Sequence, residues 1–330
     1  MKQKTTHAAN SASSKTIQGR QYMAALFLLA SHGAAMASCG SAFCSINTDW
    51  NAQTLWTENA TQLDLRMEYI NQDQLRAGRD KTTASGEVGA HDEIETRNRN
   101  VIASLSHAVS SSVSLTLSVP VVSRDHSHFH NGEDGPELES WDFTQLGDVR
   151  MSAYWRLDAA QSPQDTVYGL VGGVKLPTGS TDQRNSAGET AERSLQPGTG
   201  STDLIVGGFA SGRWAQAGWF TQLRWQHAVT ERQDFEPGDA LNLDLGMNYP
   251  MGAVQALAQI NMLWREQDSG VNAEPADSGG TFIYFSPGLL VPLGNGMQLY
   301  GLVQLPLLQD VRGTQLTADW AVSLGLSVRF

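Results

Sequence analysis

Beyond its first 37 residues, the 330-residue sequence lacks any apolar run of the roughly 18 residues that a membrane-spanning helix requires. Charged residues are also scarce, at 17%, and the net charge is −12. Because nucleic-acid binding depends on a basic surface, this balance argues against a nucleic-acid partner. The sequence has no G-x-S-x-G, H-E-x-x-H or P-loop motif, so we expect no catalytic residues and no enzyme built on these motifs.

The N-terminal 37 residues have the three parts of an export signal. A basic region without acids is followed by the apolar stretch YMAALFLLASHGAAMA and by a small-x-small cleavage site at Ala35-Met36-Ala37. We predict a signal peptide over residues 1–37, a short periplasmic segment over 38–58 and the folded domain over 59–330.

Cysteine is nearly absent, since the only two are Cys39 and Cys44 in SCGSAFCSINTDW. An exported chain reaches an oxidising compartment, which favours a small disulfide loop between them. Two alternatives stay open. Cys39 is acylated if MASC acts as a lipobox, or the two thiols form part of a soft metal or redox site.

Strict alternation of apolar and polar residues dominates the remaining sequence. The chain ends in QLTADWAVSLGLSVRF, and LDLRMEY, VSLTLSVPV and LNLDLGMNY alternate in the same way, which predicts strands with one apolar face. The last segment is longer than the about 5 to 6 residues of an ordinary strand and suits the about 9 to 11 of a tilted transmembrane strand. About twelve such segments occur, near residues 60–74, 95–108, 111–124, 142–158, 165–178, 199–212, 215–229, 238–249, 252–266, 279–292, 296–310 and 315–330.

The connections between these segments alternate in length. Those after even segments are short, such as RW, PM and GNG, whereas most of those after odd segments are long and polar, such as DHSHFHNGEDGPELES and TDQRNSAGETAERSLQPG. This pattern is typical of outer-membrane barrels, because a sheet crosses lipid only when it closes and leaves no edge. We predict an all-β fold, a transmembrane antiparallel β-barrel of about twelve strands in the bacterial outer membrane, with both termini periplasmic. The soluble alternative is a secreted β-sandwich or lipocalin-like barrel, whose turns would not sort in this way.

Three short motifs carry a resemblance to a known family. They are Gly147-Asp148, Leu176-Pro177-Thr178-Gly179 and Gly198-Thr199-Gly200 with Asp203. Over roughly residues 140–330 the chain resembles the outer-membrane family associated with the MetA pathway of phenol degradation, which implies an outer-membrane channel or transporter. The closing SVRF is similar to the C-terminal signal that barrel-assembly machinery recognises, which implies that this machinery is a partner that reads Phe330.

The face opposite the apolar one is expected to line the lumen, and it is rich in charges of both signs. Either these charges pair and fill the interior, or they edge a polar path that selects small solutes. The candidate lumen residues are Asp64, Arg66, Glu68, Asp148, Arg150, Lys175, Asp203, Arg224, Asp244 and Asp319.

Alternating histidines form the sharpest local signal. His126, His128 and His130 in RDHSHFHNGED would project to one side of an extended segment, where imidazole nitrogens bind divalent transition metals such as zinc or copper. Asp125, Glu133 and Asp134 are nearby oxygen ligands, and His91 with Asp92 and Glu93, from another predicted external loop, could join them. The plain alternative is a solvated external loop.

Three function hypotheses follow. The leading one is an outer-membrane channel or transporter for a small molecule or metal ion, with lipid and the solute as partners and no certain cofactor. The alternative is a non-conducting binding or structural barrel whose histidine loop captures metal. The third is a lipid hydrolase, for which only His107 and His227 offer lipid-facing candidates; both are expected beside short turns at the periplasmic end.

Overall fold

The computed structural model describes residues 59–86, 88, 91–157 and 166–330. The predicted signal peptide and the predicted Cys39 to Cys44 disulfide lie outside these residues. Within them, no helix is long and apolar enough to cross a membrane.

The described chain forms a single antiparallel sheet, accompanied by one short 3₁₀ helix at Pro275–Asp277. Its strands are β1 Thr61–Ala77, β2 Asp80–Lys81, β3 His91–Ala108, β4 Val113–Gly132, β5 Gly135–Leu146, β6 Val149–Arg156, β7 Val167–Leu176, β8 Asp203–Trp214, β9 Ala217–Ala228, β10 Ala240–Met251, β11 Val254–Arg265, β12 Gly280–Gly294, β13 Met297–Val311 and β14 Thr314–Arg329.

The sheet closes into a barrel because β14 pairs with β1. Phe330 and Thr61 complete the seam by exchanging two backbone hydrogen bonds of 2.9 Å. β5 pairs with the second half of β4, and β6 pairs with the first half of β4, so β5 and β6 together occupy one position in the wall. The two-residue strand β2 pairs only with the end of β1 and adds no position. The wall therefore has twelve positions, and the predicted antiparallel barrel of about twelve strands is confirmed.

The two ends of the barrel differ, as the alternating connection lengths predict. At one end, here called the turn end, lie Thr61, Phe330 and tight turns such as residues 215–216, 252–253 and 295–296. The other end, here called the loop end, carries the connections of residues 78–90, 177–202, 229–239 and 266–279.

Alternation along the strands sorts side chains between two environments. On β1, Leu63, Leu65 and Met67 are exposed on the outer surface, whereas Asp64, Arg66 and Glu68 are buried inside. The same outward apolar positions recur around the wall, at Leu115, Leu117, Leu204, Val206, Leu245, Met247, Leu289, Leu299 and Leu324. A closed sheet with an apolar exterior and a polar interior is the arrangement of a barrel that stands in lipid.

The segment DHSHFHNGEDGPELES, predicted to be a loop, is instead a long hairpin. β4 continues to Gly132 and β5 begins at Gly135, so that His126 pairs with Trp141 and His128 with Glu139. β3 likewise begins at His91, within a stretch expected to be a loop, and pairs along the other edge of β4. The prediction was wrong because polar residues that alternate are still good strand residues once both edges find partners.

Candidate functional site

A solvent-accessible cavity of about 480 Å³ occupies the barrel interior. It reaches the turn end at Gln62, Ser106 and Thr116. Towards the loop end it is bounded by Arg124 and Pro197 on one side and extends to Pro237, Gly238 and Arg265 on the other. A second cavity of about 410 Å³ shares Gln62 with it and lies at the turn end between β10 and β14. The turn-end half of the interior, and the part of the loop end beside the connection of residues 229–239, therefore contain space for solvent.

Most of the predicted lumen residues line the larger cavity, namely Asp64, Arg66, Glu68, Asp148, Arg150, Lys175, Asp203 and Arg224. Asp244 is buried and does not line this cavity. It accepts hydrogen bonds from Arg224, at 3.2 Å, and from Asn261, at 2.8 Å. The interior carboxylates are well partnered. Asp64, for example, accepts a hydrogen bond from the Tyr300 hydroxyl with both oxygens at 3.0 Å.

Asp319 does not line the lumen, and this prediction was wrong. The pairing of β14 with β1 shifts by one residue between Ala318 and Ala321, so strict alternation fails at this point. Such a bulge reverses the faces of the residues beside it. Asp319 consequently lies on the outer surface, where it pairs with Lys81 at 3.1 Å, while Leu316 turns inward and is fully buried.

The connection of residues 177–202, here called the inward segment, supplies the loop-end boundary of the cavity. Its residues Pro197 and Thr199 line the cavity, and Leu195 is fully buried against wall residues. Arg124 of β4 donates hydrogen bonds from Nη1 to the carbonyl oxygens of Ser194, at 3.1 Å, and Leu195, at 2.6 Å. The Arg124 guanidinium thus attaches the backbone of the inward segment to the wall.

An apolar patch on the inner wall receives the segment. Ala191 and Leu195 of the segment pack in one buried cluster with Leu75, Trp141, Phe143 and Leu316 of the wall. The Trp141 indole nitrogen also donates to the carbonyl oxygen of Glu189, at 3.0 Å. Burying a leucine side chain contributes about 1.5 to 3 kcal/mol, which adds to the hydrogen bonds from Arg124 and Trp141 in holding the segment against the wall.

A buried group of side chains, here called the anchor, fixes both ends of the inward segment. The ammonium of Lys175 lies 3.2 Å from Asp148 Oδ2 and 3.0 Å from Asp203 Oδ2. Asp148 also accepts hydrogen bonds from the backbone nitrogens of Gly179, at 3.0 Å, and Thr199, at 2.9 Å. The three motifs that carried the family resemblance therefore meet at one place, where the segment leaves and rejoins the wall.

Two glycines of these motifs allow the ends of the segment to meet. A Cβ atom on Gly179 would lie 2.6 Å from the Cα of Gly198, and one on Gly198 would lie 2.6 Å from the carbonyl oxygen of Gly179. Backbone cannot move away from such a contact without disturbing the anchor. The small residues of both motifs are thus explained by close approach of two chain segments.

The charges that solvent in the cavity can reach are mainly positive. The lining carboxylates Asp64, Glu68, Asp148 and Asp203 are only 2 to 7% exposed. Among the lining cations, the Arg224 and Arg265 side chains are 25% and 19% exposed, and Arg150 is in the exposed class. Arg150 forms none of the ion pairs found among the described residues. Its charged neighbours, which interact with it electrostatically, are Arg224, Asp203 and Asp148.

Two of the predicted metal ligands, His126 and His128, are buried at the loop end on the inner face of β4, beside Glu93 of β3. His126 Nε2 lies 3.0 Å from His128 Nδ1 and 3.5 Å from Glu93 Oε2. One potential ligand atom from each of these three residues, and likewise from His91, His128 and Glu192, lies within 4.8 Å of the others. Buried histidine and glutamate side chains in this arrangement can hold a metal ion.

His130 and the predicted oxygen ligands occupy different places. His130 shares the inner side of β4, but it belongs to neither potential ligand group. Its ring packs edge-on against the His91 ring, with the ring centroids 4.9 Å apart. Asp125, Glu133 and Asp134 do not belong to either group, and Glu133 and Asp134 lie exposed at the tip between β4 and β5. Glu93 was therefore the more informative acidic neighbour, although it is distant along the chain.

Burial shifts the pKa values of several groups at the loop end, outside the apolar band. Desolvation lowers the pKa of His128 to about 4 and that of His126 well below its ordinary value, with repulsion among the histidines as a further cause. Burial raises the pKa of Glu192 to about 8 and that of Glu274 to about 9, reinforced by neighbouring carboxylates. The histidines are thus neutral at pH 7, and the two glutamates tend to hold protons.

The two histidines considered for hydrolysis have other partners. His107 Nδ1 lies 2.9 Å from the Thr61 hydroxyl, near the turn end as expected. His227 lies at the loop end of β9, not beside a short turn, and its Nδ1 is 2.6 Å from Asp239 Oδ1. Its expected position was wrong because β9 runs from a short turn towards a long connection.

Sequence reasoning missed the inward segment, Arg124 and Trp141. The segment was read as an external loop because it is polar and glycine-containing. Ala191 and Leu195 are among its few apolar residues and were the available signal. Leu316 gave none, because it continues the apolar alternation of β14 and only the bulge turns it inward.

Comparison with known proteins finds no match among protein-family models or among curated proteins. Among solved structures, the chain is similar to the COG4313 outer membrane channel from Pseudomonas putida F1, with a TM-score of 0.64, 12% identity and coverage of 87% of this chain and 100% of that one. Lower similarities include the β domain of the Bordetella autotransporter BrkA, with a TM-score of 0.44, 12% identity and coverage of 83% and 100%. A Pseudomonas aeruginosa FadL homologue gives a TM-score of 0.41, 9% identity and coverage of 88% and 99%.

The first of these similarities establishes the fold at the level of architecture. The chain has the fold of a bacterial outer-membrane β-barrel, as the alternating strands and the motif resemblance predicted. At this low identity the similarity concerns fold alone, so function has to be argued from the interior.

Proposed function

We propose that this protein is an outer-membrane channel that admits small solutes and prefers anions. The observation that carries the proposal is the cavity that extends inward from the turn end, in which solvent reaches guanidinium groups more readily than carboxylates. In a narrow space with walls of low dielectric, accessible charge of one sign concentrates ions of the opposite sign. Rings and clusters of arginine select anions in other pores by the same electrostatics.

Arg150 has the leading role in this proposal. Its side chain is exposed to the cavity, on the wall between the anchor and Ser152, and it is not committed to an ion pair with a described residue. An anion entering the cavity can therefore meet this guanidinium without displacing an internal partner. By the same reasoning, a free metal cation is a less suitable solute than a small anionic molecule.

The inward segment would limit the size of the solutes that can pass through the barrel. It crosses the interior beyond Arg124, so a solute must pass between the segment and the wall or wait for the segment to move. The similarity to a solved outer membrane channel supports conduction, since that protein carries the name of a channel and has the same architecture. We further propose that the turn end faces the periplasm, because short turns mark the periplasmic rim in bacterial barrels. This orientation would put residues 38–58 in the periplasm.

The second candidate is a non-conducting binding barrel. One observation favours it, namely that the inward segment and its apolar cluster fill much of the loop-end half. A lipid hydrolase has no comparable support, because the hydrogen-bond partners of His107 and His227 are a threonine and an aspartate rather than a serine.

Osmotic swelling of liposomes distinguishes the two candidates. Protein reconstituted into liposomes is diluted into isosmotic solutions of arabinose, of a tetrasaccharide and of dextran, with heat-unfolded protein as the control. A channel narrowed by the inward segment predicts swelling in arabinose and little or none in the larger sugars. Absence of swelling in every solution, with correctly folded protein, would contradict conduction and favour the binding barrel.

A further inference from the structure

The loop end of the barrel contains a histidine cluster that conduction does not use. Its position is defined by the continuous apolar exterior of β4, which ends at Val121. The next outward residues are Ser123, Asp125 and Ser127, followed by a single exposed Phe129. His126 and His128 therefore lie beyond the lipid-facing band, on the inner face of the wall that β3, β4 and β5 extend past it.

We propose that Glu93, His126 and His128 form a binding site for one divalent transition metal ion of the zinc or copper class. The inference does not depend on conduction. It differs from the sequence prediction, which placed three histidines of an external loop around the metal. Here the third ligand is a carboxylate from the neighbouring strand, and the ligands are buried inside the barrel.

The separations between the ligand atoms suit a tetrahedral metal. His126 Nε2 and His128 Nδ1 are 3.0 Å apart, Glu93 Oε2 lies 3.5 Å from His126 Nε2, and Glu93 Oε1 lies 3.8 Å from His128 Nδ1. With bonds of about 2.0 to 2.1 Å, neighbouring ligand atoms of a tetrahedral zinc ion are roughly 3.3 Å apart. One atom from each residue lies within 4.8 Å of the others, so a rotation of the Glu93 carboxylate would bring one oxygen closer to both nitrogens.

Hydrogen bonds at the far sides of the rings present the correct nitrogens. His128 Nε2 lies 3.1 Å from Glu139 Oε2, and a carboxylate can only accept, so Nε2 carries the proton and Nδ1 offers its lone pair. His126 Nδ1 lies 2.9 Å from the Thr96 hydroxyl, which can accept a hydrogen bond from Nδ1–H and leave Nε2 as a ligand. A carboxylate or hydroxyl behind each histidine is the usual support of a metal site.

Electrostatics also favour an ion at this place. Desolvation lowers the pKa of both imidazoles, so they need not lose a proton to bind metal at pH 7. Glu93 brings a carboxylate into a region where its side chain and those of both histidines are at most 1% exposed. Glu139 is 18% exposed beside His128, which gives the ion a route from solvent.

His91 and Glu192 define the competing arrangement. They form a second potential group with His128, with His91 Nδ1 lying 3.2 Å from Glu192 Oε1. The first group is preferred because all three of its residues are buried, whereas His91 and Glu192 are only partly buried. The test must therefore separate the two groups.

Isothermal titration with zinc chloride provides this test. The full chain without a polyhistidine tag is purified in detergent, stripped with a chelator, and studied with Cys39→Ser and Cys44→Ser present, since thiolates also bind zinc. We expect one equivalent of zinc to bind, and Glu93→Gln, His126→Ala and His128→Ala each to weaken binding by about 100-fold or more. His130→Ala and His107→Ala are matched controls that should leave the affinity unchanged.

The outcomes decide between the arrangements. Absence of zinc binding to the parent overturns the proposal, and so does loss of binding in His91→Ala and Glu192→Gln while Glu93→Gln and His126→Ala retain it. Cobalt supplies an independent readout, because tetrahedral Co²⁺ absorbs visible light far more strongly than octahedral Co²⁺; only octahedral spectra would contradict the site. Each variant is first checked for the gel-mobility shift of a folded barrel, and His126→Gln or His128→Gln replaces an alanine variant that fails to fold.

Discussion

The two halves of the barrel interior are built from the same alternating strands, yet the turn-end half encloses a solvent-accessible cavity, whereas the loop-end half is filled where it faces β1, β5 and β14. In the turn-end half, inward serine, aspartate and arginine side chains surround the cavity. In the loop-end half, Leu75, Trp141, Phe143 and Leu316 turn inward and pack against the inward segment. The difference shows that a polar inner face by itself does not decide whether a barrel is open. What decides it is whether a connection finds an apolar patch on the wall to pack against.

The anchor lies where the two halves meet, and removing its cation should have the largest effect. Lys175→Met leaves Asp148 and Asp203 buried without the ammonium that lies about equally close to both. Breaking a buried ion pair in this way typically costs about 3 to 5 kcal/mol. The measurement is guanidinium unfolding followed by tryptophan fluorescence.

The exposed pair of Lys81 and Asp319 is the matched control for the anchor. Lys81→Met should lower the free energy of unfolding by less than about 1 kcal/mol, because exposed ion pairs contribute little. Equal losses from the two lysine substitutions would mean that the anchor is no more than a surface interaction.

Weakening the apolar contact between Leu195 and the wall should detach the inward segment, so that the loop-end half becomes more accessible. Leu195→Ala removes most of a fully buried side chain, a change that typically costs about 2 to 5 kcal/mol, and here that cost falls on the attachment of the inward segment. We expect trypsin to cleave after Arg193 at least about tenfold faster, since that arginine is otherwise held against the Phe235 ring and the carbonyl oxygens of Thr181 and Thr199.

Exposed Arg184 of the same segment gives an internal reference for trypsin cleavage, and Leu138→Ala, at an exposed leucine of β5, is the control substitution. If Leu195→Ala and Leu138→Ala are cleaved after Arg193 at the same rate, the apolar cluster does not hold the segment.

A smaller effect should come from pH, through Glu192 of the inward segment and Glu274. Burial and nearby carboxylates raise their pKa values to about 8 and about 9. The folded state therefore keeps protons that the unfolded state would release, so the stabilisation is complete below the ordinary carboxyl pKa and is lost as pH rises through the raised values. The facing groups are Glu139, Asp277, Asp268 and His91.

Cleavage after Arg193 should consequently accelerate as pH rises through about 8 to 9 and then level off, after correction with a small trypsin substrate at each pH. In Glu274→Gln the like charge opposite Glu192 is absent, and the acceleration should shrink. An unchanged pH profile in that variant would rule out coupling between the two glutamates.

Much of the wall could be predicted from the sequence because period-two alternation reports directly on which face meets lipid. Asp64, Arg66 and Glu68 fell on the lumen side for this reason, and the twelve wall positions followed from the same pattern. The prediction for Asp319 was wrong because β14 contains a bulge. The position of that bulge depends on how β1 pairs with β14, and no local sequence pattern encodes this pairing.

The interior itself was less predictable. Whether residues 177–202 extend outward or fold inward is decided by contacts of Leu195 and Ala191 with residues far away in the chain. The metal-ligating potential of His126 and His128 was visible as alternation, and Glu93 was one of several acidic residues that could join them. The pairing of β3 with β4 is what places Glu93, rather than Asp125, Glu133 or Asp134, beside both histidines.

Anions that enter the lumen should meet an accessible cation at Arg150, and the reversal potential of the reconstituted protein measures the resulting ion preference. In a planar bilayer under a tenfold potassium chloride gradient, the unaltered protein should show a reversal potential of the sign that marks chloride preference. Arg150→Glu should move it towards potassium, while Arg99→Glu, which alters an exposed arginine on the outer face of β3, should leave it unchanged. A potassium-selective unaltered protein, or equal shifts in both variants, would contradict the account.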